Sequence, residues 1–367
     1  KTIAATGGDY ATFTLAEADV ENIGTSADLV ANDEAIVFEA EAGTYSESVN
    51  FNSSLTTDAT RQVTYKPAVG SEHGGVAGGG VVISSSSINF TRDDYMILDG
   101  VEVNGSSSQA FNIQLVTGLT IRNCIVDASV QCMVIGAGAV DLTVENCVLS
   151  STNYTIYAND SSGTISMSVR NCTVLAGPAG LSAIRIAQSG TATIDSEFVN
   201  CLHLVGAGGV YIESGTVTTT GSNNFGGSTN PFPAAIQGSP HPVTTSTAYD
   251  PGAGDYAIYV GKNGALLDSP NNDVIDGGVG PDTDSNVPTT DILGDTRSGT
   301  TVNPGAFELP QATAVLTKTI ATTGGDYATF TLAEADVANI GGSADLVFEN
   351  EAIVFEAEDG TYAEHFT

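Results

Sequence analysis

Four Asn-Cys dipeptides, at 123–124, 146–147, 171–172 and 200–201, are the residues whose type and spacing most invite a chemical reading. They recur at intervals of 23, 25 and 29 residues. A thiol can attack, bind a soft metal or form a disulfide, and an Asn amide donates and accepts at once. Spacing of this kind fits one solenoid coil per repeat, so Asn123, Asn146, Asn171 and Asn200 are expected to stack, as are Cys124, Cys147, Cys172 and Cys201, about 4.8 Å apart. An Asn column at a tight turn satisfies backbone groups and its own neighbours, which makes it a structural ladder. Stacked thiols lie within disulfide range, but parallel side chains point the same way. Buried free thiols are therefore the first reading and one or two disulfides the alternative. No CxxC supports zinc, and Cys132 is an odd fifth cysteine.

Other candidates are weaker. Asp268, Asp273, Asp276, Asp282 and Asp284 crowd one stretch, with Asp291 and Asp295 beyond. Oxygen-rich loops attract calcium, although the spacing is not that of an EF-hand. The competing reading is that these side chains cap turns while Arg297 pairs with one carboxylate. Arg122, Glu145 and Arg170 share one column, where alternating charges on adjacent coils would attract. His73, His203, His241 and His365 are scattered, and no Ser-His-Asp or Cys-His grouping stands out. No cofactor is called for, calcium being the one candidate ion.

These residues need a scaffold, and the repeats describe it. Residues 1–50 and 318–367 match at 39 of 50 positions without a gap, at an offset of 317. The chain thus holds one complete unit and the opening of a second, with 309–317 as the joint. The short repeat extends upstream if Asp99-Gly100 is set in the frame of the Asn-Cys pairs. Ile97, Ile121, Val144, Val169 and Phe198 then form an apolar column two positions before, and Val101, Ile125, Val148, Thr173 and Leu202 a largely apolar one two positions after. The apolar runs are short, alternating and β-branched, bounded by Gly, Ser and Asn, which predicts strands and excludes a helical repeat. The expected fold is all-β: a right-handed parallel β-helix with three short strands per coil. Between residues 36 and 265 it has room for roughly nine to ten coils, a rod about 45 Å tall. Residues 9–23 read as an amphipathic cap helix with Phe13, Leu15, Val20 and Ile23 on its apolar face and Gly24 at its end. Such a helix would cover the open end of the core. Residues 216–256 lose the short period. The resulting division is 1–35 for the N-terminal segment and cap, 36–308 for the β-helix with an irregular closing segment, 309–317 for the linker, and 318–367 for the second copy.

The closing runs LLDSP, DVIDGG, TDILGDTR and NPGAFE resemble the ending of bacterial surface-type right-handed β-helix proteins with a choice-of-anchor style closing segment. GGDYATFTLAEA, EAIVFEAEAGTY and DYMILDG resemble the same broad group, whose coil architecture is pectate-lyase-like. The resemblance implies a secreted, surface-attached or fibre-like protein.

Charge narrows the partners. Lys and Arg total 10 against 43 Asp and Glu, a formal net charge of −33. This repels phosphate backbones, so nucleic acid is not an expected partner, and no apolar run is long enough for a membrane-spanning helix. The expected function is an extracellular or cell-surface structural protein whose units assemble head to tail into a filament, stalk or adhesive fibre. Copies of itself are then the main partner, through Leu309, Val315, Leu316, Tyr327, Phe330 and Leu332. Two alternatives stand beside it. A polysaccharide lyase or glycoside hydrolase needs paired carboxylates or a base with charge neutralisation; carboxylates abound, but the few Lys and Arg do not cluster. A carbohydrate-binding module would use exposed aromatics, yet there is no Trp, and Tyr154, Tyr157 and Tyr211 are dispersed. Activity as an enzyme stays open, with no catalytic residue nominated.

Overall fold

The computed structural model describes residues 1–106, 109–136, 138–160, 162–176, 184–188, 190–204, 210–212, 216–226, 232, 278–308, 314–321, 325–336 and 351–357. They fall into two compact units, Lys1–Glu308 and Leu309–Thr367.

The first unit is a right-handed parallel β-solenoid built from three sheets of nine, eight and seven strands. One coil runs Val116–Arg122, Ile125–Ala128, Gln131–Ile135, each strand lying in a different sheet. The next coil lies on it in register, Ile121 over Val144 and Val126 over Leu149. Alternation does the sorting. Val140, Leu142 and Val144 are buried while Asp141 is exposed, the period of two that a strand imposes. Seven coils carry all three strands among the described residues, and an eighth adds Val217–Ser222 and Phe225–Gly226. The coiling therefore continues past residue 216, where the sequence was expected to lose its period.

The register also corrects the upstream frame. Leu98 pairs with Ile121 and Asp99 with Arg122. Gly100, not Asp99, thus occupies the position of Asn123, with φ of +67°. Leu98 is wholly buried in that column, and Ile97 faces outward.

A short helix, α1 (Phe13–Asp19), with a 3₁₀ turn at Val20–Asn22, closes the first coil. Thr12 caps it by accepting from the Leu15 amide at 3.1 Å. Glu47, on the coil below, accepts from the Phe13 and Thr14 amides at 2.8 Å each. Two side chains thus satisfy three orphan donors and place a carboxylate at the positive helix end. Phe13, Ala16 and Val20 are fully buried, Phe13 edge-on to Tyr45 with centroids 5.2 Å apart. Leu15 is 52% exposed and does not belong to the apolar face; the smaller Ala16 takes its place. A second helix, α2 (Leu29–Asn32), capped by Asp28, precedes the first full coil.

In the second unit, the strand Ala314–Ile320 pairs in parallel with Glu351–Ala357. Thr319 faces Glu356 and Ile320 faces Ala357, the register of Thr2–Glu39 and Ile3–Ala40 shifted by the 317-residue offset. Helix α3 (Phe330–Asp336) repeats α1 residue for residue.

Candidate functional site

Each coil bends where a strand of the nine-stranded sheet meets one of the eight-stranded sheet. The bend needs one residue in the left-handed region. Asn123, Asn146, Asn171 and Asn200 supply it, with φ between 49° and 55°. Asn tolerates that conformation because its short polar side chain bonds locally. Their amides link coil to coil: Asn123 Nδ2 donates to Asp99 at 2.7 Å, Asn146 Nδ2 to Asn123 Oδ1 at 3.1 Å, and Asn200 Nδ2 to Asn171 Oδ1 at 3.4 Å. Asn223 continues the column at a spacing of 23, a signal legible in the sequence and missed there. Asn224 replaces the cysteine that would follow, accepting from the Cys201 amide at 2.9 Å.

The link between Asn146 and Asn171 is broken. Asn171 Nδ2 is buried with no partner, and Asn146 Oδ1 accepts from Arg297. Arg297 belongs to a strap, residues 278–308, laid along the outside of the ladder. Asn146 Nδ2 donates to the Thr290 carbonyl at 2.7 Å, and Asn200 exchanges two bonds with the Val279 backbone at 2.7 and 2.8 Å. Ala306 N donates to Thr173 Oγ1 at 3.0 Å. Gly305, at φ +95°, lies so close that a Cβ there would meet that oxygen at 2.8 Å. The column Ile125, Val148, Thr173 and Leu202 is buried although it alternates with the interior column Val126, Leu149 and Val174. It faces outward, and at Thr173 and Leu202 it lies against Gly305 of the strap. Glu102 stands in the same column and is covered by the 70–80 excursion, whose Gly78 amide it accepts.

A buckle holds the strap. Arg297 is 1% exposed; its Nε donates to Glu308 at 3.2 Å and its Nη2 to the Gly305 carbonyl at 2.8 Å. Glu308 also accepts from Asn303, and its own amide donates to Asp291 at 2.8 Å. Asp291 caps a turn by accepting from the Leu293 and Asp295 amides. Burial pulls the Arg297 pKa down, opposed by Glu308 and Asp291, and burial raises that of Asp291.

The cysteines belong to the core. Cys124, Cys147, Cys172 and Cys201 are buried free thiols. Each of the first three lies 3.1–3.2 Å from the carbonyl two residues back. Burial raises the thiols of Cys132, Cys147 and Cys201 well above the usual range, which disfavours the reactive thiolate. Asp284 pairs with Arg170 at 3.4 Å and caps Asn286, while Asp282 is exposed. Asp268, Asp273 and Asp276 lie outside the described residues, as do His241, His365 and Leu309. Among the described residues no group of three or more His, Cys, Asp or Glu converges as a metal would require. The Arg122–Glu145–Arg170 column is aligned, yet Arg122 pairs with Asp99, and Arg170 with Glu197 and Asp284. A groove of roughly 500 Å³ separates Glu145 and Arg170 from strap residues 285–289.

His73 is fixed as a neutral ring: Nδ1 accepts from the Gly75 amide and Nε2 donates to the Asn123 carbonyl. His203 sits in the interior column beside Val174, with Nε2 unpaired and its pKa lowered to about 4 by burial. Tyr154 and Tyr157 stack at 5.3 Å with Arg185 over both rings. Tyr211 lies in a strand next to Arg185. Val315 and Leu316 lie in the leading strand of the second unit, Tyr327 exchanges backbone bonds with Thr319 and Ala321, Phe330 opens α3, and Leu332 is 54% exposed.

Searches against protein-family models, curated proteins and solved structures find no match to this chain.

Proposed function

We propose that the chain is a repeat of an extracellular structural solenoid whose units follow one another head to tail in a filament, stalk or adhesive fibre. One observation carries this reading: the sequence recurs at an offset of 317 with its local architecture. The Thr2–Asp9 clasp, with bonds of 2.8 and 3.1 Å, returns as Thr319–Asp326 with the same distances. The joint takes part as well. Ala314–Thr317 run as strand against Glu351–Val354, so the end of the connection is the leading edge of the next unit. Contacts of this type are heterologous and do not close, which favours open fibres. The resemblance of the closing segment to surface-type β-helix proteins, the hydrated acidic surface and the structural use of each described histidine point the same way.

Electron microscopy of native material tests it. Filaments with an axial repeat of one 317-residue unit are the expected result; isolated particles without end-to-end order would overturn it. A second reading, glycan binding, is favoured by the stacked Tyr154 and Tyr157 under Arg185, and a glycan array comparing the chain with Tyr157→Ala separates it from the first.

A further inference from the structure

We propose that Glu17 and Asp93 form a proton-operated latch holding the cap helix on the solenoid. Glu17 lies on α1, and Asp93 follows the strand Ile88–Thr91, two coils into the stack. Both line one small cavity of about 10 Å³, with room for at most one water. Asp93 is 7% exposed. Glu17 accepts from Tyr65 OH at 2.8 Å and from the Asn52 amide at 3.1 Å, and Asp93 accepts from Ser53 Oγ. Asp93 Oδ2 is buried with no hydrogen-bond partner.

Among the described residues that line the cavity, none is a cation. From α1 come Glu17 and, a turn later, Glu21, which accepts from the Ser54 amide. The 52–57 stretch offers Asn52, Ser53, Leu55 and Thr57, and the strand Val63–Pro67 offers Val63 and Tyr65. The turn beyond the Ile88–Thr91 strand offers Asp93 and Asp94, with Met96 after it, while Arg92 is exposed. Tyr10 lies near Tyr65 with its hydroxyl on Asp19. Glu17 is part-buried and Asp93 buried; two carboxylates facing one cavity without a counter-charge cannot both ionise cheaply, and one shared proton removes the conflict. Burial, then the Asp93 charge, pushes Glu17 up to about 8, and burial also raises Asp93. In the open state Glu17 would titrate near its ordinary ~4.3. The closed cap therefore binds more protons than the open one between these values, and closure weakens as pH rises through this window. This inference stands apart from the tandem reading.

Hydrogen–deuterium exchange of the full chain tests it, with rates corrected for intrinsic base catalysis. Amides of residues 13–22 should open about tenfold more at pH 9 than at pH 7, while amides of 119–126 hold steady. In Glu17→Gln, whose amide replaces the shared proton, the pH dependence should vanish. Should that variant fail to fold, Asp93→Asn, which removes the neighbouring charge but leaves Glu17 buried, should shrink the pH dependence. A cap whose opening is independent of pH in the wild type, or equally dependent in both variants, would overturn the latch.

Discussion

Burying a guanidinium costs several kcal/mol unless its charge and its donors are met. Arg297 meets both, through Glu308, Gly305, Thr290 and Asn146. Truncating it would leave Glu308 and Asp291 enclosed without a cation. Arg297→Ala is therefore expected to lose about 3–5 kcal/mol in urea denaturation. A loss under 1 kcal/mol would mean that the buckle does not hold the strap. This residue also marks a limit of sequence reading. Its pairing with a carboxylate was legible as an option, but its partners were not: Glu308 is 11 residues away and Asn146 is 151 away. No local period encodes contacts of that span. The ladder beneath was legible because Asn is among the few residues that bend a chain at positive φ and, unlike Gly, it announces itself by spacing.

Among the elements, α1 shows how side-chain size and burial part company. Phe13→Ala is expected to cost about 3–5 kcal/mol, through lost transfer energy and a cavity against Tyr45 and Tyr65. Leu15→Ala should stay within about 0.5 kcal/mol, since that side chain is mostly in water. Thermal melts of the two variants check the contrast, and equal losses would mean the helix is oriented otherwise. Periodicity favoured Leu15 because a larger apolar side chain carries more weight, whereas close approach of helix to coil selects Ala16. The strands were easier to read. LTIRNCIV and LTVENCVL alternate so cleanly that the inward face follows from the period of two. The slip at Asp99-Gly100 arose because Gly fills the bend position there, and an acid beside it looked like the Asn.

For the molecule as a whole, pH acts from two sides. The neutral His203 ring is the buried state, so at this site the folded chain binds fewer protons than the unfolded one once pH falls below ~6.5. The contribution of this site should decline from there towards pH 4 by about 3 kcal/mol, read as the difference between the wild type and a variant lacking the ring. His203→Leu, which matches the aliphatic column occupied by Val174, should remove that decline. Urea titrations at pH 7 and pH 4 measure it, and an unchanged slope in the variant would place the acid sensitivity elsewhere. Carboxylates such as Asp58, held low by the Thr60 and Arg61 amides, keep their charge through this window. The latch on the cap acts with the opposite sign, weakening as pH rises from ~4.3 to about 8. Fold class was thus legible throughout, while the groups that set its working range were not, because burial of a titratable side chain is decided by neighbours distant in sequence.

The position of the buckle has a mechanical consequence. Glu308 is the last residue before the connection to the second copy, and both its side chain and its amide are clamped. Tension entering from that connection loads these bonds before it can reach a coil. The strap crosses the ladder at Asn146, Thr173 and Asn200, so its bonds share the load across several coils. The coils it spans are thereby tied to one another as well as stacked, and are expected to yield together at a higher force than coils held by stacking alone.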